Sequence, residues 1–149
     1  MIRKILILII LVPIALFLFF PISQALSQND NCLAMNKGEL SKEDVKILEG
    51  KVATDPEDLS SRTQLLEYYF VKSFGSDAIR KARQGHILWI IQNRPNSEIA
   101  GLPYASLVPG LDEEVYLEAK VLWLKQVEVH EKNAVVLGNA ANFFFVMCQ

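Results

Sequence analysis

Residues Tyr116 to Phe145 read YLEAKVLWLKQVEVHEKNAVVLGNAANFFF, and this stretch decides the fold class. Apolar residues recur in it at three- and four-residue steps, the period of an amphipathic helix. The polar break His130–Asn133 divides it into two successive helices. Ala119, Trp123 and Val127 stand four residues apart on one face of the first helix. In the second, Ala140 and Ala141 precede Phe144. Small residues set beside large aromatic ones are what two closely packed helices need where they touch.

The same period extends towards the N-terminus. Ser41 is a good N-cap, with Asp44 in the capping-box place three residues on. Val45, Leu48 and Val52 then form a stripe that Thr54-Asp55-Pro56 ends, because Pro lacks a backbone donor and restrains the residue before it. A second helix is expected from about Glu57 to Phe74, with Leu65, Leu66, Tyr69 and Phe70 as its core face, broken by Gly75-Ser76. Asp77 is expected to cap a third, running to about Arg94. Asp112 is expected to cap the fourth, with Glu113 and Glu114 near its positive end. No alternating apolar–polar run or hairpin dipeptide marks a strand. The expected architecture is all-α, about five stacked antiparallel helices after an N-terminal signal helix.

Between the third and fourth helices lie the seventeen residues Pro95 to Leu111, with three prolines and two glycines. Helix connections are usually shorter, about 2–8 residues. Ile99, Leu102, Tyr104, Leu107 and Val108 make this one a segment that packs down on the helices.

The residue pattern resembles the tetratricopeptide repeat, a helical pair of about 34 residues. With Pro56 at the place of the closing proline, Leu65, Leu66 and Tyr69 fall at the large, small and aromatic places of the next first helix. Ala78 and Gly85 then fall at small places of its second helix. With Glu131 in the proline's place, Ala119, Trp123 and Gln126 occupy the second helix of one unit, and Ala141 and Phe144 the first helix of the next. Glu131, Leu66 and Gln126 depart from the family's preferences. The likeness covers roughly Ser41 to the end. It implies an extended-peptide groove lined by Thr63, Gln64 and Glu67 in the second helix and by Asn139 and Asn142 in the fifth. The family's carboxylate-gripping variant also needs basic residues that are not evident here. A repeat unit beginning near Asn133 would lack its second helix. Phe143 to Cys148 is also unbroken apolar sequence, whereas a terminal repeat needs a polar outer face. The expectation is a domain truncated at its C-terminus that self-associates through the last helix, with a loop folded over that helix as the alternative.

The chain has 149 residues and is 51% hydrophobic, much of that at its start. Arg3 and Lys4 precede sixteen apolar residues, Ile5 to Phe20, and then Ser23-Gln24-Ala25. A basic start, an apolar run and a small-x-small site make residues 1–25 a secretory signal peptide. An uncleaved membrane anchor is the alternative, although sixteen helical residues reach only about 24 Å. Residues 26–40 read as a flexible leader and 41–149 as the helical domain. The expected location is secreted or periplasmic, or membrane-anchored by residues 5–20 if cleavage fails.

The whole chain carries a net charge of −2, and loss of Arg3 and Lys4 leaves −4. Nucleic acid is a poor partner for such a chain, because phosphate binding wants a basic face. Cys32 and Cys148 lie near opposite ends of the mature chain, which favours separate thiols or an intermolecular bond over a mutual disulfide. The polar residues before Cys32 do not make a lipid-attachment site. No Cys/His cluster marks a metal, and no motif marks a cofactor.

His86 and His130 are the only histidines. His86 lies among Ile87, Leu88 and Trp89 with only Arg83 a turn away, which reads as a structural histidine. His130 suits a helix C-terminus. Arg80, Lys81 and Arg83 form a basic patch that reads as a solvated face, with anion or peptide-terminus binding as the sharper alternative. Trp89 and Trp123 stand on apolar stripes and read as core. No nucleophile elbow, phosphate loop or paired-carboxylate motif occurs. The functional expectation is an exported scaffold that binds a protein or peptide and is not an enzyme. The alternative is a small enzyme built around Arg83, His86 and the 95–111 loop.

Overall fold

Three short connections and one long one join five helices in the computed structural model, which describes residues 40–145. The signal-like segment, nearly all of the leader, Cys32, Cys148 and the end of the C-terminal apolar run lie outside the described residues.

Helix α1 (Lys42–Thr54) starts on the expected capping box: Ser41 Oγ accepts from the Asp44 N–H, and the Asp44 carboxylate accepts from the Ser41 N–H. Helix α2 (Leu59–Lys72) starts two residues later than expected. Asp55 Oδ1 accepts the Glu57 N–H and holds Pro56–Glu57 in a turn, leaving Asp58 to cap through the Ser61 N–H. A 3-10 turn, Ser73–Gly75, leads into helix α3 (Asp77–Asn93). Its cap is Ser76; Asp77, expected there, sits in the first turn and pairs with Arg80.

Helix α4 (Pro109–Val129) begins before the expected Asp112, with Pro109 in its first turn, where the missing N–H costs nothing. Asp112 is a kink with φ −128° and ψ 28°. Its carboxylate does not cap forward as expected. It accepts the Val108 N–H behind it and the Gln84 amide of α3. Helix α5 (Ala134–Phe145) is capped by Asn133, whose Oδ1 accepts the Val135 and Val136 N–H groups.

The fold is all-α, and no strand occurs among the described residues. Each helix packs on the one before it; short connections dictate this for all but the pair α3 and α4, which the long connection joins. Leu48, Val52, Leu65 and Tyr69 bind α1 to α2. A larger core joins Leu66, Ile87, Ile90 and Ile91 to Ala119, Trp123, Val136, Ala140 and Phe143. Trp123 is buried there and tilts against Phe143 at 6.4 Å, while Ala141 is exposed.

The long connection contributes to that core, as its apolar content predicts. It holds two 3-10 turns, Glu98–Gly101 and Pro103–Ala105, and buries Ile99, Ala100, Ala105 and Leu107. Its first turn lies on α5 and its second reaches α2. A Cβ on Gly101 would come within 2.3 Å of Asn139 Oδ1, so any larger residue there would force the Asn139 side chain to move.

Candidate functional site

His86 gains a carboxylate partner from a helix that lies far away in sequence. Its Nε2 is 3.0 Å from Glu49 Oε1 on α1, and its Nδ1 is 2.9 Å from Arg62 Nη1 on α2. A guanidinium has only protons to offer, so Nδ1 must be the acceptor and the ring is neutral with its proton on Nε2. Tyr69 donates to the same Glu49 oxygen at 2.5 Å and stacks on the imidazole at 5.9 Å. Arg62 also donates to the Pro56 carbonyl at 2.9 Å and lies over the Trp89 ring, 3.8 Å from its centroid. Three helices are thereby joined through one polar cluster.

The electrostatics follow from that geometry. Burial holds the His86 imidazole below its ordinary pKa; the Arg62 charge adds to this and the Glu49 hydrogen bond opposes it. For Glu49, partial burial pushes the carboxyl up, but the Tyr69 and His86 hydrogen bonds outweigh it and the group stays low. Burial and the Glu49 contact raise the Tyr69 phenol. A proton-transfer group needs a ring nitrogen open to substrate. Both nitrogens of His86 are engaged by protein, and the side chain is buried.

Arg83, the other member of the expected enzyme site, faces the loop. Its Nε and Nη2 donate to the Tyr104 carbonyl, and Nη2 also donates to Ser106 O. The expected groove residues divide in a similar way. Thr63 and Gln64 bond back to Leu59 O and Ser60 O of their own helix. Glu67 lies near Tyr104, whose phenol is raised first by burial and then by that carboxylate. Asn139 is buried and donates to the Pro95 and Ser97 carbonyls, both at 2.9 Å. Asn142 is exposed beside Gly101 and Phe145. The helix that carries the trio, α2, packs with α1 and α3, the helix that carries the pair, α5, packs with α4, and the 95–111 segment meets both α2 and α5.

A feature that the sequence reading did not single out lies on α4. Leu117, Val121 and Leu124 are 54%, 65% and 53% exposed. Their spacing of four and three residues places them in one stripe on the outer face. Around it Glu113, Glu114, Glu118 and Glu128 outnumber Lys120 and Lys125, all six exposed. The signal was present in the sequence: this helix is apolar on more than one side, and the stripe on Ala119 and Trp123 drew attention to only one of them.

Among the described residues no group of His, Cys, Asp and Glu side chains is arranged to hold a metal, and no helix is long and apolar enough to cross a membrane. The chain matches no known protein family, no curated protein and no solved structure.

Proposed function

We propose that this chain is an exported helical module, of the tetratricopeptide-like kind its repeat frames resemble, that binds a partner protein through the outer face of α4. The observation that carries the reading is the exposed stripe Leu117, Val121 and Leu124. Three apolar anchors over two turns are the pattern by which one amphipathic helix receives another. The acidic excess around the stripe favours a partner helix with basic flanks, since complementary charge steers encounter and fixes register. A binding role is favoured over acid–base chemistry at His86 because both of its ring nitrogens are engaged within the fold.

A photo-crosslinking amino acid at Val121, introduced in the producing host, tests this. One discrete heterologous partner is expected, with Leu117→Asp abolishing capture and raised salt weakening it. Capture of nothing, or capture that Leu117→Asp leaves unchanged, overturns the proposal. Capture of a second copy of the chain would replace it with self-association.

A further inference from the structure

Arg83 is 4% exposed, yet it has no carboxylate within ion-pair distance among the described residues. Its Nε and Nη2 are held by neutral carbonyls, and Nη1 makes no hydrogen bond among the described residues. A buried guanidinium is costly unless its charge is met. Asp112 lies close enough for its charge to be felt, but one of its oxygens accepts from Gln84 at 2.6 Å and the other from the Val108 N–H at 3.1 Å.

Arg83 borders a cavity of about 60 Å³ that opens to solvent beside Arg80. Among the described residues Arg80 is engaged only by Asp77, whose side chain is 85% exposed. Exposed pairs of that kind are weak, so Arg80 is available to turn. The rest of the lining is Phe70, Phe74, Val108 and Leu111 with two polar residues, Ser73 and Asp112, and both Asp112 oxygens are already met by the Gln84 and Val108 N–H donors. Phe74 and Leu111 are 71% and 51% exposed. About 10–15 Å³ of such volume is enough to hold one water, so the cavity has room for several. A small anionic head fits inside; anything larger must lie across the apolar rim.

We propose that this cavity binds an amphiphilic monocarboxylate. The head sits between Arg83 Nη1 and Arg80, and the hydrocarbon tail lies on Phe74, Val108 and Leu111. A carboxylate matches the guanidinium fork, and the charge-assisted hydrogen bonds it forms are the stronger kind. A free hydrocarbon tail suits the rim better than a peptide does. The Val108 and Leu111 N–H groups already bond to Asp112 and to Val108 O, which leaves them nothing to offer a peptide backbone.

Titration of the protein with octanoate, followed by amide chemical shifts, tests the site. Saturable shifts at Phe74, Arg83 and Leu111 are expected. Octanol, which lacks the charge, and acetate, which lacks the tail, should each bind at least about tenfold more weakly, as expected when a charged hydrogen bond or the apolar contact is lost. Arg83 also anchors the loop, so the variants of choice are the more exposed Arg80→Gln and Leu111→Asp. Each should weaken octanoate while leaving the melting curve near that of the parent. Equal binding of octanol, shifts confined to the α4 stripe, or indifference to both variants overturns the proposal. So does tighter binding of a short leucine-ending peptide acid than of octanoate.

Discussion

His86 is neutral because of what faces it. Arg62 of α2 offers a proton to Nδ1, and Glu49 of α1 takes one from Nε2. Acid reverses this, since a protonated ring would present an N–H to a guanidinium. The folded pKa is held below that of the unfolded chain, so the unfolded state binds more protons and stability falls as pH drops. Glu49, also lowered, acts in the same direction at lower pH. The melting temperature should therefore hold above about pH 6.5 and decline below it, with Glu49 adding to the loss below about pH 4.5. Calorimetry across that range checks this, and His86→Gln should flatten the upper part of the decline. Arg62→Met should destabilise the protein by about 1–3 kcal/mol, because His86 Nδ1 and the Pro56 carbonyl both lose their donor; chemical denaturation measures it. Little of this cluster was legible in the sequence. Capping by Ser41 and Asp44 is local and could be read directly. Glu49 lies 37 residues from His86 and Arg62 lies 24, and nothing in the spacing announces either pair.

At the scale of elements, helices were read correctly where the apolar period was clean, and their ends shifted where two capping residues competed. Ser76 and Asp77 are adjacent good caps, and the structure uses the serine. The spacing at Asp112 predicts a forward cap, but its carboxylate instead accepts from the segment behind it and from α3. The long connection was expected to pack, and it does so through a contact that only coordinates reveal: Gly101 against Asn139. Gly101→Ala should cost about 1–3 kcal/mol, the usual range for overpacking. The Asn139 amide cannot yield without losing Pro95 O and Ser97 O. Thermal melts of Gly101→Ala and of the smaller-partner double variant Gly101→Ala/Asn139→Ala check this, since the second alanine removes the clash and the cost of the two should not add. Trp123→Ala should cost about 3–5 kcal/mol, read by denaturant titration. Trp123→Phe should cost far less, because it also removes an indole N–H that has no partner among the described residues.

For the molecule as a whole, composition and period were enough to give an all-α chain, because helical packing repeats one rule at every junction. They could not give the partner. The stripe on α4 is ordinary helix sequence until its neighbours are known, and the cavity at Arg83 is assembled from the end of α2, the start of α3 and the start of α4. Export is our proposal from the first 25 residues. Intact mass of protein from the producing host should show an N-terminus at Leu26 or Gln28, and a full-length mass in the membrane fraction would favour an anchor.

Arg83 and Asn139 hold the connection between α3 and α4 at four points, Pro95, Ser97, Tyr104 and Ser106, and every one is a main-chain carbonyl. Arg83 and Asn139 thus grip this segment without reading its side chains. Mutational tolerance follows from that. Exchanges at Ser97 or Ser106 leave the anchors intact, whereas one exchange at Arg83 or Asn139 releases two carbonyls together. Drift in this protein should therefore concentrate along the gripped segment, outside Gly101 and the buried Ile99 and Leu107, and spare the two residues that do the gripping.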